Sequence, residues 1–279
     1  ATNIVDSLLS VFTPISFDHT DRLGNTLTSI AADKAGIIKP NSAVVSAVQQ
    51  PEALLQLKNR AEAVGAAFFY APEYIHIIDG ISDFSGSRLQ IDCRKGEFSG
   101  EYILPTPGKH QWENLQNVIT AAAVLVELGF DITPDTLKSG IAGFHWEGRL
   151  QRLQEKPAMY YDVAHNPAAA KVVADYFREH HSGQKVKILM GLVKEKDAQG
   201  VLEQLSVIAS EFIFTGLPNP RSADPCELEL IAGSLGFKAS VVEDPDEALA
   251  VQLKTAGKEE ILLVTGSHFI GEAVMKYKT

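Results

Sequence analysis

A lysine and a histidine within one segment could carry metal chemistry. The segment runs from Asp18 to Pro40 and reads DHTDRLGNTLTSIAADKAGIIKP, in which Asn25 or Thr26 can cap a helix. Leu27, Ile30, Ala31 and Lys34 follow the i, i+3, i+4, i+7 spacing of one helix face. This spacing predicts that Lys34 lies on the apolar face. A buried, neutral lysine amine can add carbon dioxide to form a carbamate, an anion able to hold a metal ion, and His19 would be a natural further ligand.

Both residues also allow a structural interpretation. The Lys34 amine can reach the last carbonyl groups of its helix, where the helix dipole stabilises a cation. A histidine beside Asp18 can also have a purely structural role, in which it only orders its own loop.

A second candidate site lies in the run YDVAHNPAAA, where Asp162 and His165 follow a predicted strand. Asn166 can cap the next helix and Pro167 suits its first turn. A carboxylate accepts hydrogen bonds from ribose hydroxyls, and an imidazole beside a helix N-terminus suits a phosphate. The alternative is that Asp162 and His165 only satisfy the backbone of their loop.

Further donors lie near predicted strand ends or a domain boundary. They are Arg149, Lys194, Lys196, Arg221, Ser267 and His268. Arg149 and Arg221 are candidate clamps for phosphate or carboxylate, whereas the two lysines are most simply solvated surface residues. No G-x-x-x-x-G-K-[ST] loop occurs, because the Gly-Lys pairs at 108–109 and 257–258 are followed by His110 and Glu259.

The elements that must position these residues indicate an α/β fold. Strands are predicted near 159–163, 186–192, 211–216, 239–243 and 260–265, and helices near 168–180, 196–209, 225–235, 245–255 and 270–277. Strands that alternate with helices build a parallel sheet, whose ligand site lies beyond the carboxyl ends of the strands. Residues before about 147 are predicted to contain helices near 25–35, 51–64 and 111–129 and short strands between 66 and 104. The predicted domains are therefore 1–146 and 147–279.

Composition limits the partners of the protein. The 279 residues carry a net charge of −10, which disfavours nucleic acid and anionic membrane surfaces. Only two cysteines occur, too few for a disulfide framework, and no apolar run is long enough to span a membrane. A cytoplasmic protein is expected.

The two main motifs resemble those of folylpolyglutamate and dihydrofolate synthases, relatives of the Mur ligases. The segment from Asp18 to Pro40 is similar to one signature, and YDVAHNPAA is similar to a second one, D-x-A-H-N-P. The runs ATNIV, GKHQWENLQNVITAA, WEGRLQ, KEKD and VTGSHF follow in the order of that family. The resemblance covers all 279 residues. It implies part of a Mur-ligase-type ATPase domain followed by a Rossmann-like glutamate ligase domain with a mainly parallel sheet.

The resemblance also implies a reaction and a set of site residues. ATP would phosphorylate the terminal carboxylate of a reduced folate or dihydropteroate, and L-glutamate would attack the acyl phosphate to form an amide. His19 and a carbamylated Lys34 would hold Mg²⁺, with Lys34 and His165 as the catalytic residues. The implied ATP contacts are Asn114 at the adenine, Asp162 at the ribose, and Arg149 and His165 at the phosphates. Ser267, His268 and Arg221 are matched to the glutamate site, and a monomer is expected.

The absence of a phosphate-binding loop leads to one further expectation, that this chain alone is inactive and belongs to a longer parent enzyme. Two alternatives remain: a fragment of a Mur ligase acting on UDP-MurNAc-peptides, and a non-catalytic nucleotide-binding module.

Overall fold

The computed structural model describes residues 2–17 and 24–278, which form two compact units. The first unit comprises Ala1–Ser82 and Gly86–Phe144, and the second comprises Asp83–Ser85 and His145–Thr279. Across the described ranges, every helix is too short or too polar to cross a membrane.

The first unit begins with a three-stranded parallel sheet in the order β1-β2-β3. Its strands are β1 (Leu9–Phe12), β2 (Ala43–Ser46) and β3 (Ala67–Tyr70). Helices α1 (Leu27–Ala35) and α2 (Pro51–Ala63) connect the strands, as the sequence predicts. Ile30, Ala31 and Leu57 from these helices share one core with Val44 of β2.

A second sheet in this unit has the order β4-β5-β6. Its strands are β4 (Ile75–Asp83), β5 (Gly86–Cys93) and β6 (Gly100–Leu104), and β5 pairs antiparallel with β6. The helices around it are α3 (Ala71–Tyr74), α4 (Lys109–Glu127) and α5 (Pro134–Ala142). Leu115 and Ile119 of α4 pack with Leu89 and Tyr102 of the sheet in a separate core. The long helix predicted near 111–129 is therefore confirmed.

The second unit contains a six-stranded sheet in the order β11-β10-β9-β12-β8-β7. Its strands are β7 (Gln151–Glu155), β8 (Ala158–Tyr161), β9 (Val186–Met190), β10 (Ala209–Phe214), β11 (Ala239–Val241) and β12 (Ile261–Thr265). All neighbouring strands pair in parallel except β7, which runs antiparallel to β8 at the edge. The prediction of an α/β fold with a mainly parallel sheet is confirmed.

Helices cover both faces of this sheet, in two separate cores. The helices are α6 (Pro167–His180), α7 (Ala198–Leu205), α8 (Pro225–Ser234), α9 (Pro245–Thr255) and α10 (Gly271–Met275). Buried residues of α6, α7 and α8 pack on one face, and those of α9 and α10 pack on the other. Because both faces are covered, central strands such as β12 are buried at every position and read as continuous apolar runs.

Candidate functional site

The topology of the sheet predicts a ligand-binding crevice at the carboxyl ends of β8 and β12. These strands are neighbours, yet β8 leads into α6 on one face and β12 leads into α10 on the other. Such a change of face between adjacent parallel strands opens a crevice where ligands bind. The two loops at this point are joined by hydrogen bonds: Thr265 Oγ1 donates to Ala164 O at 3.3 Å, and Tyr161 OH donates to Ser267 O at 3.3 Å. The runs after β8 and β12 therefore meet.

Asp162 is the buried carboxylate of this crevice, with 6% of its surface exposed. Its Oδ2 accepts from Leu150 N at 2.9 Å and its Oδ1 accepts from Ala164 N at 2.8 Å. Burial raises the pKa of Asp162 to about 6, although both backbone N–H groups and the charge of Arg149 act to lower it. Both carboxylate oxygens thus have one donor each, which leaves lone pairs for hydroxyl donors of a ligand.

A tight turn presents Arg149 beside Asp162. Gly148 has φ of +71° and Leu150 has φ of +47°, so the backbone is left-handed on both sides of the arginine. A Cβ atom at residue 148 would lie 2.6 Å from Val163 Cγ1, which leaves room only for glycine. Sequence reasoning identified Arg149 but missed the role of this turn, which aims the Leu150 N–H at Asp162. The Gly-Arg pair was the available signal.

Three basic side chains act on one another at this crevice. The pKa of His268 is lowered by burial first, and then by the nearby charges of Arg149 and His165. His165 Nδ1 lies 2.9 Å from Val163 O, and because a carbonyl only accepts, Nδ1 carries a proton, so Nε2 can donate to an anion when the ring is protonated. A cluster of this kind favours an anionic ligand, because an anion would offset the charge of Arg149 and favour protonation of the two imidazoles.

The N-terminus of α6 adds to the same positive field. Asn166 Oδ1 accepts from Ala169 N at 2.9 Å and Pro167 occupies the first turn, so the predicted cap is confirmed. The helix is 14 residues long, and its dipole places partial positive charge just after His165.

Ser267 and Arg221 have structural partners that the sequence did not indicate. Ser267 is buried, and its Oγ accepts from Phe269 N at 3.2 Å to cap a short 3-10 helix, His268–Ile270. Arg221 makes a bidentate pair with exposed Glu195, from Nε to Oε1 at 3.0 Å and from Nη2 to Oε2 at 3.1 Å. The pair raises the pKa of Arg221 and lowers that of Glu195. A carboxylate ligand of Arg221 would have to compete with Glu195.

Lys34 lies in the first unit, and the prediction that it is buried on the apolar face is wrong. Helix α1 buries Ile30, Ala31 and Ala35, whereas Lys34 in the last turn is exposed. By helical spacing Lys34 lies on the same side as Ile30 and Ala31, but it stands in the last turn of the nine-residue helix, where it borders a cavity and not the core. The cap is as predicted, because Thr26 Oγ1 accepts from Ser29 N at 3.1 Å.

Lys34 lines a cavity of about 390 Å³ in the first unit. The lining also includes Asp33 and the stretch from Val11 to Ile15 at the end of β1. Gln49 fixes this stretch: its Oε1 accepts from Ile15 N at 2.8 Å and its Nε2 donates to Thr13 O at 2.9 Å. Sequence reasoning missed Gln49, which carries no motif signal.

The other predicted metal ligand, His19, lies outside the described residues. Within residues 2–17 and 24–278, no group of three or more His, Cys, Asp or Glu side chains could hold a metal ion. An ammonium group would repel Mg²⁺, but a carbamate on Lys34 together with Asp33 would give the oxygen donors that Mg²⁺ prefers. The donor set therefore fits Mg²⁺ only if Lys34 is modified.

Asn114, the predicted adenine contact, lies on α4 in the first unit and is half-buried. Its Nδ2 donates to Gln111 Oε1 at 3.0 Å, one helical turn earlier. Sequence reasoning singled out Asn114 but gave no role to Gln111.

Known proteins resemble this chain along its whole length. The Mur ligase, glutamate ligase domain model matches residues 148–268. The dihydrofolate synthase/folylpolyglutamate synthase of Bacillus subtilis is 31% identical over 280 residues, covering 100% of this chain and 64% of that protein. The folylpolyglutamate synthase of Lacticaseibacillus casei is 26% identical over 276 residues, covering 98% of this chain and 63% of that protein.

A solved structure of a folylpolyglutamate synthase is also similar to this chain. The folylpolyglutamate synthase of Mycobacterium tuberculosis complexed with ADP superimposes with a TM-score of 0.86 at 26% identity, covering 99% of this chain and 65% of that one. The chain thus spans slightly less than two thirds of the relatives it matches, whose names favour folate ligases over ligases of UDP-MurNAc-peptides. Residues 148–268 thus match the glutamate ligase domain of the Mur ligases, and the whole chain resembles folylpolyglutamate and dihydrofolate synthases.

Proposed function

We propose that this chain is part of an ATP-dependent ligase that adds L-glutamate to reduced folate, with dihydropteroate as a second acceptor. The observation that carries the proposal is the crevice between β8 and β12, where Asp162 lies with Arg149, His165 and His268. It combines a hydroxyl acceptor with a cationic cluster at a helix N-terminus, which is the chemistry needed for a ribose and a phosphate. The relative solved with ADP supports a nucleotide as the ligand.

The proposed reaction has two steps. The terminal carboxylate of the folate attacks the γ-phosphorus of ATP, forming an acyl phosphate and releasing ADP. The amine of glutamate then attacks the acyl carbon, forming the amide and releasing phosphate, while the amine loses a proton. Most of the catalysis in such a transfer comes from positioning and charge neutralisation.

Each residue of the crevice has a role in this proposal. Ionised Asp162 accepts from a ribose hydroxyl, held in place by the N–H groups of Leu150 and Ala164. Arg149 and protonated His165 neutralise phosphate oxygens.

Glutamate is assigned to the adjoining loops. Ser267 and His268, at the end of β12, and Arg221, after β10, are the proposed contacts. The Arg221 guanidinium must leave Glu195 to bind a substrate carboxylate, so Glu195 would hold it in place until the substrate enters.

Lys34 and His19 are the proposed Mg²⁺ ligands, with Lys34 as a carbamate. Bound Mg²⁺ would neutralise phosphate charge. Asn114 is the proposed adenine contact. We assign residues 1–146 to the C-terminal part of the Mur-ligase-type ATPase domain and residues 147–279 to the glutamate ligase domain, in a cytoplasmic protein.

Calorimetry with ADP and ATP tests the proposal on the 279-residue chain. We expect saturable binding of both nucleotides, and we expect Arg149→Met to weaken ADP binding at least about tenfold, because one charge-assisted contact to phosphate is lost. The matched control is Arg178→Met, an exposed arginine near the end of α6.

A second measurement reports whether Arg149 lies in the cluster independently of binding. Since the Arg149 charge lowers the pKa of His268, Arg149→Met should raise that pKa in an NMR titration, and Arg178→Met should not. A wild-type chain that binds neither nucleotide, or equal ADP affinity in both variants, would overturn the proposed site.

A further inference from the structure

Three polar side chains form a hydrogen-bonded relay at the start of α4. Asn114 Nδ2 donates to Gln111 Oε1 at 3.0 Å, and Gln111 Nε2 lies 3.1 Å from His110 Nε2. All three residues are half-buried. With His110 Nε2 as the acceptor, Gln111 has a partner for each end of its carboxamide, which fixes its orientation.

The relay also fixes Asn114. An asparagine carboxamide can present either its NH₂ group or its oxygen in a given direction, and only its hydrogen-bond partners decide which. Because Gln111 Oε1 can only accept, it holds the NH₂ group of Asn114 on its own side. The hydrogen bond to Gln111 leaves Asn114 Oδ1 as the acceptor on the opposite side of the carboxamide.

The residue one helical turn after Asn114 is apolar and exposed. Val118 follows Asn114 by one helical turn, on the same face of α4, and 46% of its surface is exposed. A hydrogen-bond acceptor one helical turn from an exposed apolar side chain suits a flat ring that has a donor on its edge. The 6-amino group of adenine is such a donor, whereas the 6-oxo group of hypoxanthine or guanine would place two acceptors face to face.

We propose that Gln111 is the positioning residue that makes this protein select 6-amino over 6-oxo purine nucleotides, by holding Asn114 with Oδ1 toward the base. This inference rests on the proposed function, since it takes Asn114 as the adenine contact. It adds a second residue to base recognition, one that does not touch the base. The simpler role, a side-chain pair one turn apart that stabilises the helix, gives no base selectivity.

ATP and ITP are the probes, because they differ at the base edge that carries the 6-amino or the 6-oxo group. Calorimetry on the 279-residue chain should give at least about tenfold tighter binding of ATP than of ITP. Gln111→Met keeps the size of the side chain but removes the acceptor, so Asn114 can turn over. The ATP:ITP ratio should then fall to within about threefold, with ITP gaining affinity as ATP loses it.

Gln111→Glu is the matched variant. It keeps an acceptor for Asn114 Nδ2, so it should retain the selectivity even if the added charge weakens both nucleotides. A further check uses Asn114→Asp, in which both side-chain oxygens accept and orientation no longer matters. In that background Gln111→Met should leave the ATP:ITP ratio unchanged. Circular dichroism and thermal unfolding confirm that each variant is folded.

The outcomes separate the inference from the function on which it rests. If the wild-type chain binds neither nucleotide, the proposed function fails. If it binds ATP but does not prefer it to ITP, or if the Met and Glu variants change the ratio equally, nucleotide binding stands and the role of Gln111 is wrong. A helix-stabilising role alone would lower the melting temperature of Gln111→Met without changing the ratio.

Discussion

At the scale of single residues, Asp162 shows how burial sets the working state of a carboxylate. Its ordinary pKa of 3.8 is raised to about 6, mainly because desolvation disfavours the charged form. The carboxylate is still ionised at neutral pH and accepts hydrogen bonds there. Its affinity for a hydroxyl donor should decline as the pH falls through 6.

This shift predicts how stability depends on pH. Since the folded pKa of Asp162 exceeds the unfolded one, the folded state binds the proton more tightly between pH 4 and 6. The contribution of Asp162 to the free energy of unfolding should therefore fall as pH rises through that window, by roughly 2–3 kcal/mol, and stay low above pH 6. Urea unfolding at a series of pH values from 4 to 7.5 measures this change.

Asp162→Asn provides the comparison, because its side chain does not titrate. The free energy of unfolding should fall less between pH 4 and 6 in this variant. Its stability at pH 4 should be reduced, because the amide NH₂ group faces a backbone N–H donor. Asp175→Asn, at an exposed site on α6, should leave the pH dependence of the unfolding free energy unchanged. An equal slope in the wild type and in Asp162→Asn would show that Asp162 does not have the raised pKa.

Residue-level prediction from sequence succeeded where a motif also fixes local geometry. Asn166 is the helix cap that the spacing indicates, and Asp162 does lie at a strand end beside His165. It failed where the environment comes from distant parts of the chain. Glu195, which forms the ion pair with Arg221, is 26 residues away in sequence. The exposure of Lys34 depends on where a short helix meets its core.

At the scale of elements, the turn from Gly148 to Leu150 brings Arg149 close to Asp162. Alternation of apolar runs and helical segments was enough to predict the parallel sheet, because both faces of each central strand are covered. The order of its strands was not predictable, since it depends on which pairs bury most apolar surface. That order creates the crevice by placing β12 next to β8.

Gly148 and Gly183 allow the turn to be tested with a matched pair. Both have positive φ, +71° and +80°, but a Cβ at Gly183 meets nothing within 4 Å, whereas at Gly148 it meets Val163 Cγ1 at 2.6 Å. Gly183→Ala should cost about 1 kcal/mol of unfolding free energy from left-handed strain alone. Gly148→Ala should cost at least about 1 kcal/mol more because of the clash.

Binding should separate the two variants further. Gly148→Ala displaces Arg149 and the Leu150 N–H that holds Asp162, so ADP affinity should fall, while Gly183→Ala should bind ADP like the wild type. Chemical unfolding and calorimetry on the same samples measure the unfolding free energy and the ADP affinity. Equal effects of the two substitutions would mean that the turn at Gly148 does not position the crevice.

At the scale of the whole molecule, the second unit is not continuous in sequence. It includes Asp83–Ser85 as well as the residues from His145 onward. The sequence predicted one boundary near 147 and gave no sign of this short segment, because three residues carry no periodicity. Of these three residues, Phe84 packs against the core of the second unit.

Phe84 should therefore stabilise the second unit. Its ring lies 4.4 Å from that of Tyr160, 5.0 Å from Tyr176 and 4.9 Å from His181, measured between centroids, and it packs against the core under α6. Phe84→Ala should lower the unfolding free energy of this unit by about 2 kcal/mol, less than a fully buried phenylalanine because the ring is only half-buried. Hydrogen exchange should be faster in β8 and α6 and unchanged in β1 and β2. Ile81→Ala, at a residue with 68% exposure, is the control. If Phe84→Ala leaves exchange in β8 and α6 as slow as that control does, Phe84 does not contribute to the core of the second unit.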